Sequence, residues 1–256
     1  MTEATPLVVK LGGRLLQEPK AIAELLAVCE QIKANRPLLL VHGGGAQVES
    51  WLHTFGFVTE KVDGQRVSPP EQMPVIAGAL AGAVNAELVA LADQAGLAPV
   101  GLTLGAGGSC RFERTPALGA VAKALPGQPA LLQSLLQQHF TPVLSSIGHY
   151  DGALLNVNAD LAAAALCQLL QGDLLLLTDV PGILQDDGRV MTKLSAAEAK
   201  VLVAEGVIKG GMKVKLDAAL DTAQALQRPI VVAGWQQPEL LLPLLAGQAV
   251  GTRIYP

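Results

Sequence analysis

The chain has 256 residues, a formal net charge of -4 and a hydrophobic share of 50%, but only 3% of its residues are aromatic. This length supports a full aliphatic core, in one large α/β domain or in two lobes. No long basic run is present, which argues against a nucleic-acid surface because such surfaces cluster Lys and Arg. The three cysteines are far apart and lack CxxC spacing. They predict small buried side chains and neither a disulfide framework nor a zinc site.

Targeting signals are not evident in the sequence. Residues 1–6 lack the charged and apolar regions of a signal peptide. Apolar runs such as 174–177 are too short to cross a membrane. We therefore expect a cytoplasmic protein.

Short apolar runs, each closed by a turn and followed by a helical pattern, recur along the chain. The runs predict strands at 7–9, 38–41, 99–104, 142–146, 174–177 and 230–233. Helical patterns cover 19–34, 46–55, 76–95, 158–170 and a segment that ends near 227. This alternation predicts a mainly parallel sheet covered by helices on both faces. Residues 105–125 are Gly-rich and weakly periodic, which predicts a hairpin or a lid, and a lobe boundary is expected near Gly172.

Two glycine-rich turns follow predicted strands, Leu11-Gly12-Gly13 and Gly43-Gly44-Gly45. Glycine lets the backbone approach a ligand closely, and the helix that follows offers free N–H groups to an anion. One glycine pair is equally compatible with a plain tight turn, but three glycines that open a helix favour phosphate binding. Neither the P-loop pattern GxxxxGK[ST] nor GxGxxG after a strand occurs, so a different phosphate-binding design is expected.

Several charged residues lie next to these turns. Lys10 ends an apolar strand, where a lysine must be paired or must leave the core, with its ammonium either in solvent at the sheet edge or at a ligand. Lys213 and Lys215 lie near a helix start, where an anionic partner would offset the unfavourable dipole. Asp160 is either a capping or first-turn acid, or the group that holds two lysines by charge-assisted hydrogen bonds.

Asp179 and Arg66 have polar surroundings. Asp179 closes the predicted strand at 174–177, again at a carboxyl end. Arg66 lies in a predicted polar loop at 63–70, from which it could clamp a carboxylate bidentately.

Together these segments resemble the amino-acid kinase family over nearly the whole chain. The motifs are KLGG at 10–13, GGG at 43–45, GQRV at 64–67, GALAG at 78–82, SSIG at 145–148, NVNAD at 156–160, TDVPG at 178–182, GM with a lysine at 211–215, and GTR at 251–253. The segments at 64–67 and 156–160 are closer to members that act on N-acetylglutamate than to those that act on aspartate, glutamate, carbamate or UMP.

The resemblance implies a three-layer αβα sandwich with an open, mainly parallel sheet. Residues 1–172 would bind the acceptor, and residues 173–256 would bind ATP, with Mg²⁺ held through the nucleotide phosphates. Lys10 and Lys215 would stabilise the transferring phosphoryl group, with Asp160 orienting both. The acceptor would contact Gly44, Gly45, Arg66 and Asn156. The nucleotide would contact Gly12, Gly13, Asp179, Val180, Pro181, Gly182, Ile183, Leu184, Val207, Ile208 and Lys209.

The resemblance further implies arginine biosynthesis, an acyl phosphate product and a homodimer. An acceptor carboxylate is already ionised at neutral pH, so no general base is needed, and His42 is expected to serve packing and hydrogen bonding. The segment at 105–109 carries Ala and Gly where relatives often have acids. Few residues precede the first strand, so inhibition by arginine through an extra N-terminal helix is not expected. Alternatives are a kinase for N-acetyl-aminoadipate or glutamate, a non-catalytic sensor and a nicotinamide-dependent enzyme, the last disfavoured by the missing fingerprint.

Overall fold

A computed structural model describes residues 4–62, 64–185, 188–208 and 210–256. The strands are β1 (Leu7–Leu11), β2 (Leu38–His42), β3 (Lys61–Val62), β4 (Gln65–Arg66), β5 (Pro99–Thr103), β6 (Cys110–Arg114), β7 (Val121–Pro126), β8 (Thr141–Ser145), β9 (Ile147–Tyr150), β10 (Ala153–Val157), β11 (Asp173–Thr178), β12 (Lys193–Ser195), β13 (Ile230–Gly234) and β14 (Thr252–Tyr255). The α-helices are α1 (Pro19–Lys33), α2 (Gly45–Thr54), α3 (Met73–Ala77), α4 (Asn85–Gln94), α5 (Ala130–Gln137), α6 (Ala159–Leu170), α7 (Ala196–Ala204), α8 (Gly210–Leu226) and α9 (Leu241–Leu245).

Eight strands form one sheet in the order β12-β14-β13-β11-β1-β2-β8-β5. Neighbours from β13 to β5 are parallel, whereas β14 runs antiparallel to β13 and carries β12 parallel to itself. All six predicted strands lie in this sheet, which confirms the prediction of a mainly parallel sheet. Strands from both predicted lobes share it, and the division at Gly172 stays a prediction.

Helices cover both faces of the sheet, because the strands are apolar on both sides. In β1, Val8 belongs to the apolar cluster that includes α2, α6 and α8 residues. Its neighbours Leu7 and Val9 belong to the opposite cluster, with α1, α4 and α9. Since successive side chains of a strand point to opposite faces, the two clusters are the two outer interfaces of a three-layer αβα sandwich.

One continuous helix, Pro70–Gln94, contains α3, a π-helical segment (Gly78–Val84) and α4. By length and composition alone this helix could cross a membrane, so the expectation that the apolar runs are too short to do so does not hold for it. Here it buries Ile76 and Leu80 in one apolar cluster and Leu88 in the other, as the core helix of a globular protein does.

Two smaller sheets are formed outside the main one. Strands β6-β7-β10-β9 form a four-stranded sheet, so the predicted hairpin at 105–125 is real but is built into a sheet with β9 and β10. Strands β3 and β4 form a hairpin where a polar loop was predicted. The three cysteines are free and buried, as predicted, and burial raises the pKa of each thiol to about 12.

Candidate active site

The carboxyl ends of β1, β2 and β11 meet at one edge of the sheet. Lys10 in β1 is in register with Val41 of β2 and Leu176 of β11. The two glycine-rich turns therefore leave the sheet side by side, at the edge where open α/β sheets bind ligands.

Lys10 and Asp160 form a buried ion pair at this edge. Lys10 Nζ lies 2.9 Å from Asp160 Oδ1, and the two side chains are only 7% and 10% exposed. The approach is that of an ion pair, although Oδ1 lies outside hydrogen-bond geometry. A Cβ on Gly12 would collide with Lys10 Nζ, so the glycine leaves the space that the ammonium fills.

Helix α6 places Asp160 in its first turn. The N-cap is Asn158, whose side chain accepts the N–H groups of Asp160 at 2.8 Å and Leu161 at 3.2 Å. Asp160 is therefore not the cap, and its carboxylate is left to Lys10.

A cavity of about 280 Å³ opens beside this pair. It brings together the four residues predicted to bind an acceptor: Gly44, Gly45, Arg66 and Asn156. Helices α2 and α6 both begin at its wall, so the positive ends of two helix dipoles face it, and α2 has no side-chain cap for its first N–H groups. Gly44 has φ +156°, and a Cβ there would lie 2.8 Å from Leu80 in the π-helical segment.

Arg66 places a cationic side chain in the wall of the cavity, and this side chain is 8% exposed. Its Nη2 donates to Glu49 Oε2 at 2.6 Å, whereas Nη1 is buried without a hydrogen-bond partner. Asn156 donates its amide N–H to Ser68 Oγ at 3.0 Å. That bond leaves the carbonyl oxygen of Asn156 to accept a donor.

His42, the last residue of β2, is hydrogen-bonded to the second glycine-rich turn. Its Nδ1–H donates to the carbonyl of Gly43 at 2.7 Å, and its Nε2 accepts from Asn85 Nδ2 at 2.9 Å. Burial lowers the pKa of His42 to about 4, so the ring is neutral at pH 7. The geometry agrees with the predicted packing and hydrogen-bonding role.

Asp179, which directly follows β11, connects this edge of the sheet to the first glycine-rich turn. Its Oδ1 accepts the backbone N–H of Arg14 at 3.1 Å and the indole N–H of Trp235 at 2.8 Å. Gly13 has φ +65°, and a Cβ there would lie 2.6 Å from both carboxylate oxygens of Asp179.

The other predicted nucleotide residues follow β11 or lie just before α8. Val180 N–H donates to the Thr178 hydroxyl, Pro181 is exposed, and Gly182 packs against Thr252. The side chains of Ile183 and Ile208 are in the hydrophobic core, so only their backbone can face a ligand. Leu184 and Val207 are half-buried, and Lys209 lies outside the described residues.

Helix α8 carries the two candidate lysines. Lys213 is exposed and pairs with Asp217 on its own helix at 2.5 Å. Lys215 is half-buried and, within the described part of the chain, lies within 4.0 Å of no acidic side chain. Helix α8 packs on α6, which begins at Ala159 next to Asp160. This arrangement favours Lys215 over Lys213 as the lysine available to a ligand.

A second cavity, of about 660 Å³, opens at the opposite edge near the starts of β1 and β2. Its charged residues are already engaged. Lys33 donates to the carbonyl of Leu97, and Arg36 donates to that of Thr5. The smaller cavity is lined by Arg66, whose Nη1 has no hydrogen-bond partner, and is the better site.

Three site features were missed from sequence: Glu49, Trp235 and the His42–Asn85 pair. Trp235 follows β13, so the rule that ligands gather at carboxyl ends of strands could have found it. Glu49 lies one helical turn after Gly45 and carried no sequence signal, because a glutamate on a helix is usually a solvated side chain.

Comparison with known proteins agrees with this geometry. The model of the amino acid kinase family matches residues 5–234. An acetylglutamate kinase from Colwellia psychrerythraea is 49% identical over 254 residues, which cover 98% of this chain and 97% of the relative. One from Aeromonas salmonicida is 47% identical, with 97% of each covered.

Solved structures show the same fold at lower identity. N-acetylglutamate synthase from Neisseria gonorrhoeae, in complex with coenzyme A and N-acetyl-glutamate, superposes with a TM-score of 0.85 at 22% identity, over 99% of this chain and 60% of that one. Carbamate kinase from Giardia lamblia bound to AMP-PNP gives 0.74 at 18% identity, over 100% and 99%. The chain belongs to the amino acid kinase family.

Proposed function

We propose that this protein transfers the γ-phosphoryl group of ATP to the γ-carboxylate of N-acetyl-L-glutamate, in arginine biosynthesis. The observation that carries the proposal is the buried Lys10–Asp160 pair beside a cavity lined by Arg66, whose guanidinium nitrogen Nη1 has no hydrogen-bond partner. The relatives named acetylglutamate kinase, which match nearly the full length, support the choice of acceptor.

The acceptor occupies the cavity of about 280 Å³. Arg66 Nη1 and the N-terminal N–H groups of α2 bind carboxylate oxygens. The free carbonyl of Asn156 accepts an N–H of the acetamido group. Because an acylated amine carries no charge, one amide acceptor satisfies it, whereas the ammonium of free glutamate would need more partners.

The nucleotide lies on the other side of Lys10, along Gly12 and Gly13 and the segments that begin at Asp179 and Val207. We propose that Mg²⁺ arrives bound to the nucleotide phosphates and neutralises part of their charge. Among the residues described by the structure, no group of three His, Cys, Asp or Glu side chains is placed to hold a metal ion.

The reaction needs alignment and charge neutralisation more than proton transfer. The γ-carboxylate has an ordinary pKa of about 4.3 and attacks as the anion. Lys10 approaches the transferring group from the sheet, Lys215 approaches it from α8, and Asp160 holds Lys10 in place. The product is an acyl phosphate and ADP. His42, neutral and buried, takes no proton from the acceptor.

We further propose a cytoplasmic homodimer. Strand β5 lies at one edge of the eight-stranded sheet and has no fully buried residue, and open strand edges readily pair with a second copy. Light scattering on the purified protein tests the oligomeric state.

The activity is tested by trapping acyl phosphate with hydroxylamine in the presence of ATP and a panel of acids: N-acetyl-L-glutamate, L-glutamate and N-acetyl-L-aminoadipate. The proposal predicts the highest kcat/KM for N-acetyl-L-glutamate. Lys10→Met should abolish trapping, whereas Lys20→Met, on the exposed face of α1, should not. Preferred turnover of another acid would refute the choice of acceptor.

A further inference from the structure

Glu49 is the centre of a cluster of contacts at the mouth of the acceptor cavity. It lies on α2, and both of its carboxylate oxygens are engaged. Oε2 accepts from Arg66 Nη2 at 2.6 Å and lies 3.7 Å from Lys61 Nζ, while Oε1 accepts a short hydrogen bond from the Thr59 hydroxyl. These bonds, led by the one from Thr59, hold the pKa of Glu49 below its ordinary value, so it is ionised at neutral pH.

All three partners come from the segment that carries the β3–β4 hairpin. Thr59 precedes β3, Lys61 begins it and Arg66 ends β4. This hairpin is short, and two-stranded ribbons are marginally stable on their own. Glu49 makes three of the contacts that attach this segment to α2, and so helps to fix the position of the cavity wall formed by Lys61, Gln65 and Arg66.

The same contacts determine which nitrogen of Arg66 has no hydrogen-bond partner in the protein. Nη2 donates to Glu49 and also lies 3.4 Å from the carbonyl of Gly45, so both of its hydrogens are directed at α2. Nη1 remains buried without a partner. A buried guanidinium nitrogen without an acceptor is costly, and an anionic ligand in the cavity would supply one.

We propose that Glu49 is a positioning residue for acceptor recognition: it holds the guanidinium of Arg66 in the cavity wall, with Nη2 committed to Glu49 and Nη1 left without a hydrogen-bond partner, and it fastens the β3–β4 hairpin over the bound acceptor. The inference rests on the proposed function, because it takes the cavity ligand to be a carboxylate acceptor. It also changes the expectation that Arg66 clamps a carboxylate with two nitrogens, since Nη2 is committed to Glu49.

A positioning role and a purely electrostatic role of Glu49 predict opposite effects of its substitution on acceptor binding. Glu49 is 43% exposed and carries a negative charge near an anion site, so a purely electrostatic role would mean that removing the charge tightens acceptor binding. A positioning role means that removing the hydrogen-bond acceptors weakens binding, and that glutamine, which keeps one carbonyl oxygen, restores most of it.

The test compares the wild type, Glu49→Ala, Glu49→Gln and a control, Glu24→Ala, which removes an exposed glutamate of α1. Saturation kinetics are measured with ATP and N-acetyl-L-glutamate. We expect Glu49→Ala to raise the KM for the acceptor about tenfold or more, the loss of one charge-assisted bond, with kcat within about threefold and the KM for ATP unchanged. Glu49→Gln should stay within about threefold of the wild type in all parameters.

Other outcomes overturn the inference. An unchanged or lower acceptor KM in Glu49→Ala would show that Glu49 does not position Arg66. An equal rise for both substrates, or a rise matched by Glu24→Ala, would indicate general destabilisation. If Glu49→Ala does not fold, Thr59→Val removes one of the three contacts and should raise only the acceptor KM. A wild type inactive on N-acetyl-L-glutamate would refute the proposed function instead, and the series would then use the acid that is turned over.

Discussion

Replacing Asp160 by asparagine should leave Lys10 as an unpaired cation in a nearly dry site. Both side chains are at most 10% exposed. Removing one partner of a buried ion pair typically costs about 3–5 kcal/mol. The cost has a ceiling, because Lys10 can lose its proton instead. Neutralising a lysine of pKa about 10.4 at pH 7 costs about 4.6 kcal/mol. We therefore expect Asp160→Asn to lower the free energy of unfolding by about 3–4 kcal/mol.

The assay is urea denaturation of four proteins: wild type, Asp160→Asn, Lys10→Met and the double variant. Each single substitution leaves one buried charge without its partner, whereas the double variant removes both charges. The double variant should therefore be more stable than the two single losses predict, by about 2 kcal/mol.

Additive losses within about 0.5 kcal/mol would refute the reasoning, because they would show that Lys10 and Asp160 do not interact in solution.

Three further predictions concern the surrounding residues. Gly13→Ala places a Cβ 2.6 Å from the Asp179 carboxylate at φ +65° and should raise the KM for ATP. Gly56→Ala, at φ +76° in open space, should cost only about 1 kcal/mol of stability. Kinetics and denaturation of both variants separate an effect on ATP binding from an effect on stability. Lys215→Met should lower kcat about a hundredfold or more in the hydroxamate assay, while Lys213→Met, which only breaks a surface pair with Asp217, should change it less than about twofold. His42 has a folded pKa of about 4 against 6.5 for the free group, so the unfolded chain binds more protons between these values, and the free energy of unfolding should fall by about 3 kcal/mol as the pH drops through that window. The variant His42→Gln should reduce this pH dependence, whereas the exposed control His53→Gln should not. An equal pH dependence in the two variants would contradict the burial of His42.

The main sheet could be predicted because its strands are continuous apolar runs that end in glycine or in a charge. Lys10 stood out for that reason, since an ammonium at the end of a buried strand needs a partner. Its partner, Asp160, was placed by the structure. The sequence could identify a first-turn acid of α6 but not the distance to β1, because that contact joins residues 150 positions apart.

Two hairpins of the smaller sheets, β3–β4 and β9–β10, were missed for different reasons. The strands of the β3–β4 hairpin have two residues each, too few to show the alternation of a strand. The β9–β10 hairpin did carry a signal, because Asp151-Gly152 is a typical two-residue turn and both residues have positive φ. The role of Glu49 could not be predicted, since it depends on the hairpin that folds back over α2.

Identifying the phosphorylated carboxylate tests most directly whether the protein phosphorylates the γ-carboxylate of N-acetyl-L-glutamate. The protein is incubated with ATP and N-acetyl-L-glutamate, the acyl phosphate is reduced with borohydride, and the resulting alcohol is identified by NMR. We expect the alcohol derived from the γ-carboxylate, formed only with ATP and absent with Lys10→Met. The α-carboxylate alcohol, or ADP release without any trapped product, would contradict it.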